Sequence, residues 1–292
     1  MVSIVIPAHN EQATIGRCLT GLLAEQSSLD LHVVVACNGC NDRTAEVARQ
    51  FGPRVTVIET ETASKVHAMN LADEAAEGFP RFYMDADVVL AADDVREIVR
   101  TLEEGRVLAA SPRMVMDLSR SSWSVRAYYH IWMALPYTRK GMIGVGVYAL
   151  SQEGRRRFGR FPDIIADDGY VRLLFKPNER AAVAEAKSII TAPATLAGLV
   201  KIKSRSRLGG YQLSERFPEL FDNDDKNYWG AICDLLRKPS VWQYAPVYLY
   251  VNFVARQRAR RQLKALDQYV WERDDSSRSG TSGASVVDPQ VH

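Results

Sequence analysis

The feature that most constrains this chain is a regular alternation of short β-branched runs and helical patterns in its first hundred residues. The runs predict strands at residues 2–6, 31–36, 55–59 and 81–84. Between the first two strands, Ile15, Leu19 and Leu22 recur at helical spacing. The alternation predicts the α/β class, with βα units around a mainly parallel, Rossmann-like sheet flanked by helices. Ligands collect outside the carboxyl ends of such strands, so the segments after each strand are the ones to read for chemistry.

Length and composition indicate one large domain with additions at its carboxyl end. Of the 292 residues, 47% are hydrophobic and 25% are charged, which suffices to bury a sizeable core. We expect a sheet domain at 1–195, with halves at 1–115 and 116–195, followed by a helical extension at 196–272. Residues 273–292 are rich in Ser, Gly and Asp, so we expect them to be disordered.

Charge and cysteine content favour an intracellular protein without a nucleic-acid partner. The formal net charge of +2 creates no overall field that would attract nucleic acid. The first apolar run is too short for a signal sequence or a membrane span, so we expect the protein in the cytoplasm, either free or at the inner face of the membrane. Four cysteines in a chain of this length need not form a disulfide framework, and we expect reduced thiols.

An acidic motif, Asp85-Ala86-Asp87, follows the strand at 81–84. Strand alternation directs both carboxylates to the same side of the chain, at the carboxyl edge of the sheet. Two such groups suit a hard divalent cation that also binds a diphosphate. Aspartate also commonly ends strands and begins turns, so the motif alone is a weak signal.

Four segments come in an order that strengthens this reading. They are residues 2–11, the turn 38–44, residues 65–70 and the acidic motif at 85–87. Together they resemble the family 2 glycosyltransferases, which have the GT-A fold, over residues 2–175. The resemblance implies a nucleotide-binding half at 1–115, an acceptor half at 116–195 and a metal-assisted reaction with a nucleotide-sugar donor.

The resemblance also implies roles for individual residues. Lys65 is expected near the nucleotide, Asp85 at the ribose, and Asp87 as the ligand of Mg²⁺ or Mn²⁺. The segment expected to line the nucleotide pocket is Pro7, Ala8, His9, Asn10 and Glu11. Where the family commonly has paired acidic residues beside the base, this chain has Cys37-Asn38, so the amide of Asn38 is expected to replace a carboxylate. UDP-sugars are favoured, although this departure leaves the base open.

A second acidic pair, Asp167-Asp168, stands where the family has an acidic pair that begins a helix. The resemblance matches Asp168 to the general base, and Asp167 to the donor and acceptor pocket. An aspartate in the first turn of a helix is also favoured by the helix dipole alone. Glycines at 141, 144 and 146 precede a short strand, and the resemblance places Gly144 and Gly146 beside the donor sugar and acceptor. A tightly packed strand would also need small residues.

Basic residues alternate at Lys201, Lys203, Arg205 and Arg207. In the family a basic element in a comparable place closes on the pyrophosphate, and the guanidinium fork of arginine suits phosphate oxygens. We therefore expect Arg205 and Arg207 at the diphosphate. A solvated basic face or a contact with anionic lipid explains the lysines equally well.

Three further patterns leave alternatives open. Cys37 and Cys40 form a CxxC between a strand and a helix, where redox proteins place their cysteine pair, whereas a zinc site would need about four ligands. Aromatic residues at 123–132 could stack on an acceptor but are more often core. The aromatic and basic segment 241–261 fits a packed helix, a homodimer interface or a peripheral membrane contact.

The sequence as a whole predicts an inverting, metal-assisted transfer of a sugar from a nucleoside diphosphate sugar to an acceptor hydroxyl. The acceptor could be a saccharide, a lipid-linked sugar or a small molecule. A sugar nucleotidyltransferase is the nearest enzymatic alternative. A catalytically silent scaffold that binds a nucleotide-sugar is the alternative from a different class.

Overall fold

The structure is a computed structural model that describes residues 1–24, 29–135, 138, 146–224, 230, 235, 237–266 and 269. In the described part, eight strands form one sheet with the order β3-β2-β1-β4-β7-β6-β8-β5. The strands are β1 Val2–Ala8, β2 Leu31–Asn38, β3 Val55–Thr60, β4 Arg81–Met84, β5 Val89–Leu90, β6 Ala109–Asp117, β7 Val147–Leu150 and β8 Arg180–Thr191. The predicted α/β class is confirmed.

Strand direction brings the segments of chemical interest to one edge of the sheet. Strands β1 to β4 are parallel, so they all end at the same edge. Strand β7 runs antiparallel to β4 and begins at that edge, whereas β6 runs antiparallel to β7 and ends there. We call this edge the site edge. The first two strands are each two residues longer than predicted, because β1 and β2 stay paired as far as Ala8 and Cys37.

Helices cover both faces of the sheet. They are α1 Ile15–Leu22, α2 Thr44–Arg49, α3 Lys65–Ala75, α4 Ala92–Glu103, α5 Trp123–Trp132, α6 Gln152–Arg155, α7 Asp167–Leu174, α8 Leu196–Arg216 and α9 Ala245–Leu263. Side chains of α1, α2 and α4 pack on one face with Ile4 and Ile6, and side chains of α3 and α7 pack on the other face with Val5. Burial on both faces explains why these strands are continuous hydrophobic runs rather than alternating ones.

A third apolar cluster joins α5, α8 and α9 into a separate helical layer. Helix α5 follows the end of β6, and α8 follows the end of β8, which runs parallel to β6. Both helices therefore leave the sheet from the site edge. Helix α8 begins at Leu196, where the helical extension is predicted. The predicted disordered tail at 273–292 lies outside the described residues, and within them no helix is long and apolar enough to cross a bilayer.

Candidate active site

Lys65 joins two acidic motifs that are far apart in the sequence. It is the first residue of α3, whose capping residue Ser64 accepts a hydrogen bond from the His67 N–H at 3.3 Å. The Lys65 Nζ lies 2.7 Å from Asp85 Oδ1 at the end of β4 and 2.9 Å from Asp167 Oδ1 at the start of α7. The structure thus brings together three residues that the resemblance placed in one site.

Burial and charge act against each other in this ion-pair group. Burial alone would lower the pKa of the Lys65 ammonium, but the carboxylates of Asp167 and Asp85 more than compensate and raise it. Asp167 is 5% exposed, and burial raises its pKa to about 6, with Asp168 and Asp85 adding to the shift and Lys65 opposing it. Asp167 is therefore mostly ionised at neutral pH but is protonated in mild acid.

The acidic motif after β4 presents its two carboxylates to solvent. Asp85 and Asp87 are half-buried, whereas Ala86 and Val88 between and beside them are buried. Beneath them, burial raises the pKa of the Cys18 thiol, and the nearby carboxylates of Asp87, Glu11 and Asp85 raise it further. The predicted placement of both aspartates at the site edge is what the structure shows.

The donor atoms at this edge suit a hard divalent cation. Within the described residues, no three Asp, Glu, His or Cys side chains form a complete metal site. Mg²⁺ commonly takes only one or two protein carboxylates and fills its other positions with water and substrate phosphates. One oxygen of Asp85 is engaged by Lys65. Asp87 as the ligand of such an ion stays a prediction.

Gly146 supports the acidic motif from the neighbouring strand. Its carbonyl accepts a hydrogen bond from the Asp85 N–H at 2.8 Å, and its φ of +66° is the left-handed conformation that favours glycine. A Cβ at this position would come within 2.5 Å of Val88 Cγ2. Gly146 is therefore required by the backbone beside Asp85. The other predicted pocket glycine, Gly144, lies outside the described residues, as does Gly141.

Tyr148 on β7 was not among the residues predicted from the sequence to lie in the site. Its side chain is 5% exposed, and within the described residues its hydroxyl has no hydrogen-bond partner. Burial raises the pKa of the Tyr148 hydroxyl, and the charges of Asp167, Tyr83, Asp168 and Asp85 raise it further. A buried hydroxyl without a partner is uncommon and indicates a position that a ligand or water completes. The pairing that opposes Tyr148 to Tyr83 is a long-range contact, so no local sequence pattern identified this residue.

The predicted general base, Asp168, occupies the second position of α7 and is half-buried. Its Oδ1 accepts a hydrogen bond from the Gly169 N–H at 2.7 Å, which fixes the carboxylate at the helix start. The preceding residue, Asp167, is held by Lys65. Asp168 is therefore the more accessible of the two carboxylates.

The predicted nucleotide segment, Pro7 to Glu11, is tied to the turn after β2. The Asn41 N–H donates to Asn10 Oδ1 at 2.7 Å, and the Glu11 N–H donates to Thr44 Oγ1 at 2.7 Å. Asn10 has a φ of +51°, a conformation that asparagine tolerates better than most residues. His9 Nδ1 lies 2.5 Å from the carbonyl oxygen of Asn38. These bonds hold the two loops as one unit at the site edge.

Asn38 is buried more deeply than the predicted contact between its amide and the nucleotide base would require. It is 4% exposed, and the amide orientation that satisfies its surroundings donates to Ala8 O at 2.8 Å and accepts from the Ser64 N–H at 3.3 Å. Its side chain therefore ties β1 to the start of α3. A contact between this amide and a base stays a prediction, and it would compete with these two bonds.

The CxxC pair belongs to the same loop unit. Cys18, Cys37 and Cys40, the cysteines within the described part, are free thiols, as expected. Cys40 Sγ lies 3.4 Å from both the Asn10 N–H and the Ala8 carbonyl. A hydrogen bond between the two cysteines raises the pKa of Cys37 and lowers that of Cys40. Contacts with Ala8 and Asn10 therefore hold Cys40 in the loop unit.

The alternating basic residues fall on different faces of α8, because residues two apart on a helix point about 200° from each other. Arg205 shares a face with Gly209 and Gln212, and Gln212 Oε1 accepts from the Ile165 N–H at 2.8 Å. That face packs on the segment just before Asp167. Arg205 therefore stays a candidate for the diphosphate.

Arg207 and Lys203 lie on the opposite face of α8, in the helical layer. Arg207 donates to Asn252 on α9 at 2.5 Å, so a contact between Arg207 and the diphosphate stays a prediction and would compete with this bond. Lys203 does not belong to a solvated basic face: its Nζ lies 4.1 Å from the Trp132 ring centroid and is packed against Tyr128 and Tyr129. Burial and Arg207 lower the pKa of Lys203 to about 7.

Comparison with known proteins identifies relatives of the first half of the chain. Residues 3–158 match the family described as glycosyl transferase family 2. A 4,4'-diaponeurosporenoate glycosyltransferase from Staphylococcus aureus strain USA300 is 26% identical over 164 residues, which cover 53% of this chain and 40% of the relative. Its counterpart from Staphylococcus haemolyticus is 30% identical over 103 residues, 34% of this chain and 27% of the relative. The chain thus spans two fifths or less of these relatives.

Solved structures share the fold over most of this chain. The mannosyltransferase PcManGT from Pyrobaculum calidifontis, in complex with GDP-Man and Mn²⁺, has a TM-score of 0.58 at 21% identity and covers 92% of this chain and 76% of its own. S. aureus TarS 1-349, in complex with UDP-GlcNAc, has a TM-score of 0.53 at 13% identity and covers 91% and 83%. At such identities the likeness shows the fold, which is the GT-A fold that the sequence predicted.

Proposed function

The chain belongs to glycosyl transferase family 2, and on that premise we propose that it transfers a sugar from a nucleoside diphosphate sugar to an acceptor hydroxyl. The observation that carries the proposal is the contact of Lys65 with both Asp85 and Asp167. It gathers the acidic residues of two distant motifs at the carboxyl edge of the sheet, where ligands bind in folds of this kind.

The donor's nucleotide would lie along the loop unit formed by residues 7–11 and 38–44. Asp85, beside Lys65, would contact the ribose. Structural neighbours solved with GDP-Man and with UDP-GlcNAc support a nucleotide-sugar donor, and we favour a UDP-sugar on the resemblance. The hydrogen bonds that join the two loops fix this surface before the donor binds, which reduces the entropy lost on binding.

The diphosphate would lie between Asp87 and the face of α8 that carries Arg205. When bound, Mg²⁺ or Mn²⁺ held by Asp87 would neutralise charge on the departing diphosphate. The neighbour solved with Mn²⁺ supports use of a divalent ion. Arg205 would supply a second positive charge, since its guanidinium can bind two phosphate oxygens at once.

Asp168 would act as the general base. Its carboxylate would accept the proton of the acceptor hydroxyl as that oxygen forms a bond to the anomeric carbon. The bond between the anomeric carbon and the diphosphate oxygen would break on the opposite side, so the anomeric configuration would invert. Asp167, engaged by Lys65, would help to position the site rather than transfer the proton.

The test is sugar transfer from a panel of UDP- and GDP-sugars to a panel of acceptors, by wild type and Asp168→Asn. The matched control is Asp163→Asn, which removes an exposed carboxylate from the same segment. We expect Asp168→Asn to lower kcat by about 10²- to 10⁴-fold, the usual contribution of a general base, and the control to match wild type. Product NMR should show inversion.

Other outcomes would count against the proposal. Retention of anomeric configuration would remove Asp168 as the base. Donor binding by the wild type without transfer to any acceptor would favour the scaffold alternative. Release of pyrophosphate from a nucleoside triphosphate and a sugar phosphate would favour a nucleotidyltransferase.

A further inference from the structure

The outer side of α9 carries a continuous row of solvent-exposed residues with an unusual composition. The row, which we call the α9 outer face, contains Trp242, Pro246, Leu249, Tyr250, Phe253, Arg256, Gln257, Arg260, Arg261 and Lys264. Its first half is apolar, with Phe253 exposed to 64% and Leu249 and Tyr250 each to 55%. Its second half is cationic. A surface helix normally presents polar residues outward along its whole length.

The apolar half of this face does not serve the packing of α9 itself. The opposite side of the helix, with Tyr248, Val251, Ala255 and Ala259, is buried against α5 and α8. The Tyr248 ring stacks on Tyr128 with centroids 5.2 Å apart. The helix is therefore already anchored on one side, so its outward Leu249 and Phe253 have no role in its anchoring.

The exposed apolar surface extends to a second helix. Trp123, the first residue of α5, is 59% exposed, and its ring centroid lies 6.4 Å from that of Tyr244 beside the start of α9. Trp242 on the preceding turn is 61% exposed. An exposed patch of this kind, built from large side chains on two elements, commonly marks an interaction site.

The charge of the segment indicates what kind of surface it meets. From Arg237 to Leu266 the sequence contains seven Lys or Arg residues and no Asp or Glu, although the whole chain has a net charge of only +2. A second copy of this face would offer no Asp or Glu to pair with these cations, so charge complementarity does not favour a symmetric dimer through it. An anionic surface with an apolar layer beneath it complements both halves of the face.

We propose that the α9 outer face and Trp123 dock on an anionic phospholipid bilayer. Leu249, Phe253 and the tryptophans would enter the boundary between head groups and acyl chains, where aromatic side chains are favoured. Arg256 and Arg260 would lie at the level of the phosphates.

The test is flotation of the full chain with vesicles of phosphatidylcholine alone and with 30% phosphatidylglycerol. We expect binding to the anionic vesicles that weakens with added salt. Each arginine near an anionic surface contributes roughly fivefold, so Arg256→Gln/Arg260→Gln should weaken binding by about 10- to 30-fold. Leu249→Ser/Phe253→Ser should weaken it by about tenfold or more, because apolar burial is lost.

Matched controls separate docking from general charge and exposure. Arg100→Gln/Arg106→Gln removes two exposed charges from α4 and the turn after it, and Ile189→Ser removes an exposed apolar side chain from β8; both should bind like wild type. Thermal unfolding checks that each variant folds. Binding to both kinds of vesicle alike, or equal losses in the controls, would overturn the proposal.

Light scattering on the wild type tests the remaining alternative, in which a second copy of the chain binds the α9 outer face. A dimer that Leu249→Ser/Phe253→Ser converts to a monomer, with no vesicle binding by the wild type, would assign the face to a second copy and overturn membrane docking. None of these measurements uses donor or turnover. Failure of the transferase proposal would therefore leave the docking test unaffected, and the reverse also holds.

Discussion

Two clusters of charged side chains lie on either side of one pair of stacked tyrosines, and they differ in how their charge is balanced. In the first, which we call the Asp73 cluster, the carboxylate of Asp73 accepts from Arg81 at 2.8 Å, from Arg155 at 2.5 Å and from the Tyr83 hydroxyl at 2.5 Å. In the second, the Asp85 and Asp167 carboxylates share Lys65. Burial raises the pKa of the Tyr148 hydroxyl, and Asp167, Tyr83, Asp168 and Asp85 add to the shift.

The tyrosines connect the clusters directly. Tyr83 and Tyr148 are partners in the β4 and β7 register, and their ring centroids are 5.1 Å apart. The Tyr83 hydroxyl is bonded, whereas within the described residues the Tyr148 hydroxyl is not. Burial opposes ionisation of Asp73, but Arg155, Tyr83 and Arg81 hold its pKa below the usual value. Burial instead raises the pKa of Asp167.

From this difference we expect the Asp73 cluster to stabilise the fold and the second cluster to bind ligand. A buried carboxylate with two guanidinium partners and a hydroxyl is complete, and the Asp73 cluster joins α3, β4 and α6 into a rigid base. In the second cluster Asp85 and Asp167 share one ammonium and Asp168 follows directly in the chain, so the cluster carries excess negative charge that a cation or a proton can reduce. The following predictions test whether stability and ligand binding divide between the clusters in this way.

The largest effect is expected for Asp73→Ala. The variant leaves the buried Arg81 and the half-buried Arg155 without their shared carboxylate, and breaking a buried ion pair on one side costs about 3–5 kcal/mol of stability. Urea unfolding of the variant and of Asp93→Ala, which removes an exposed ion pair on α4, measures the difference. A loss for Asp73→Ala no larger than for Asp93→Ala would remove the structural role of the Asp73 cluster.

Lys65→Met should destabilise the protein by a smaller amount that depends on pH. Without the ammonium, Asp167 has to ionise in a buried place, so its folded-state pKa rises further above the value in the unfolded chain. A raised carboxylate pKa lowers stability as pH increases through the interval between the two values. We expect a loss of about 2 kcal/mol at pH 8, which is less than for a fully buried ion pair because Lys65 and Asp85 are partly exposed. The loss should be smaller at pH 5, where Asp167 is protonated. A loss independent of pH would contradict the pairing of Lys65 with Asp167.

Metal-dependent nucleotide binding should weaken in mild acid. Protonation of Asp167, whose pKa is raised to about 6, removes a negative charge from the site as pH falls through that value. We expect affinity for UDP with Mn²⁺ to fall as pH is lowered from 7 to 5, by at most about tenfold per unit for one proton. Asp167→Asn should lose the step centred near pH 6. A step that persists in this variant belongs to another group.

The smallest effects separate the two tyrosines. Tyr83→Phe removes a bonded hydroxyl from Asp73 and should cost about 1–2 kcal/mol in urea unfolding. Tyr148→Phe removes a hydroxyl without a partner in the described residues and should change stability by less than about 0.5 kcal/mol. If the Tyr148 hydroxyl instead faces bound ligand, the variant should weaken donor binding. Equal stability losses in the two variants would contradict the contrast between the clusters.

Features set by local pattern were predictable from the sequence. The apolar runs placed four strands, and the position of Asp85 and Asp87 after a buried strand followed from strand alternation. The motif order identified the family, and Lys65, Asp85 and Asp167 do meet. These expectations depend on short-range periodicity, or on segments that keep their order along the chain.

Features set by long-range contacts were not predictable. Arg205 and Arg207 form one basic run in the sequence, but the faces of α8 become distinguishable only when α7 and α9 pack against it. Tyr148 gains significance only from residues on three other elements. The aromatic residues of 241–261 divide into a buried side and the α9 outer face for the same reason, since periodicity alone does not reveal which side meets the protein.

The most direct test of the central claim is calorimetric titration of UDP and of GDP, each with and without Mn²⁺, into wild type and Asp87→Ala. Unfolding curves of the two proteins should agree, because Asp87 lies at the site edge of the sheet and is not part of the Asp73 cluster. The account predicts that wild type binds one of the nucleotides only with Mn²⁺ and that Asp87→Ala loses this binding while staying folded. Equal binding by both proteins, or no binding of either nucleotide under any condition, would contradict it.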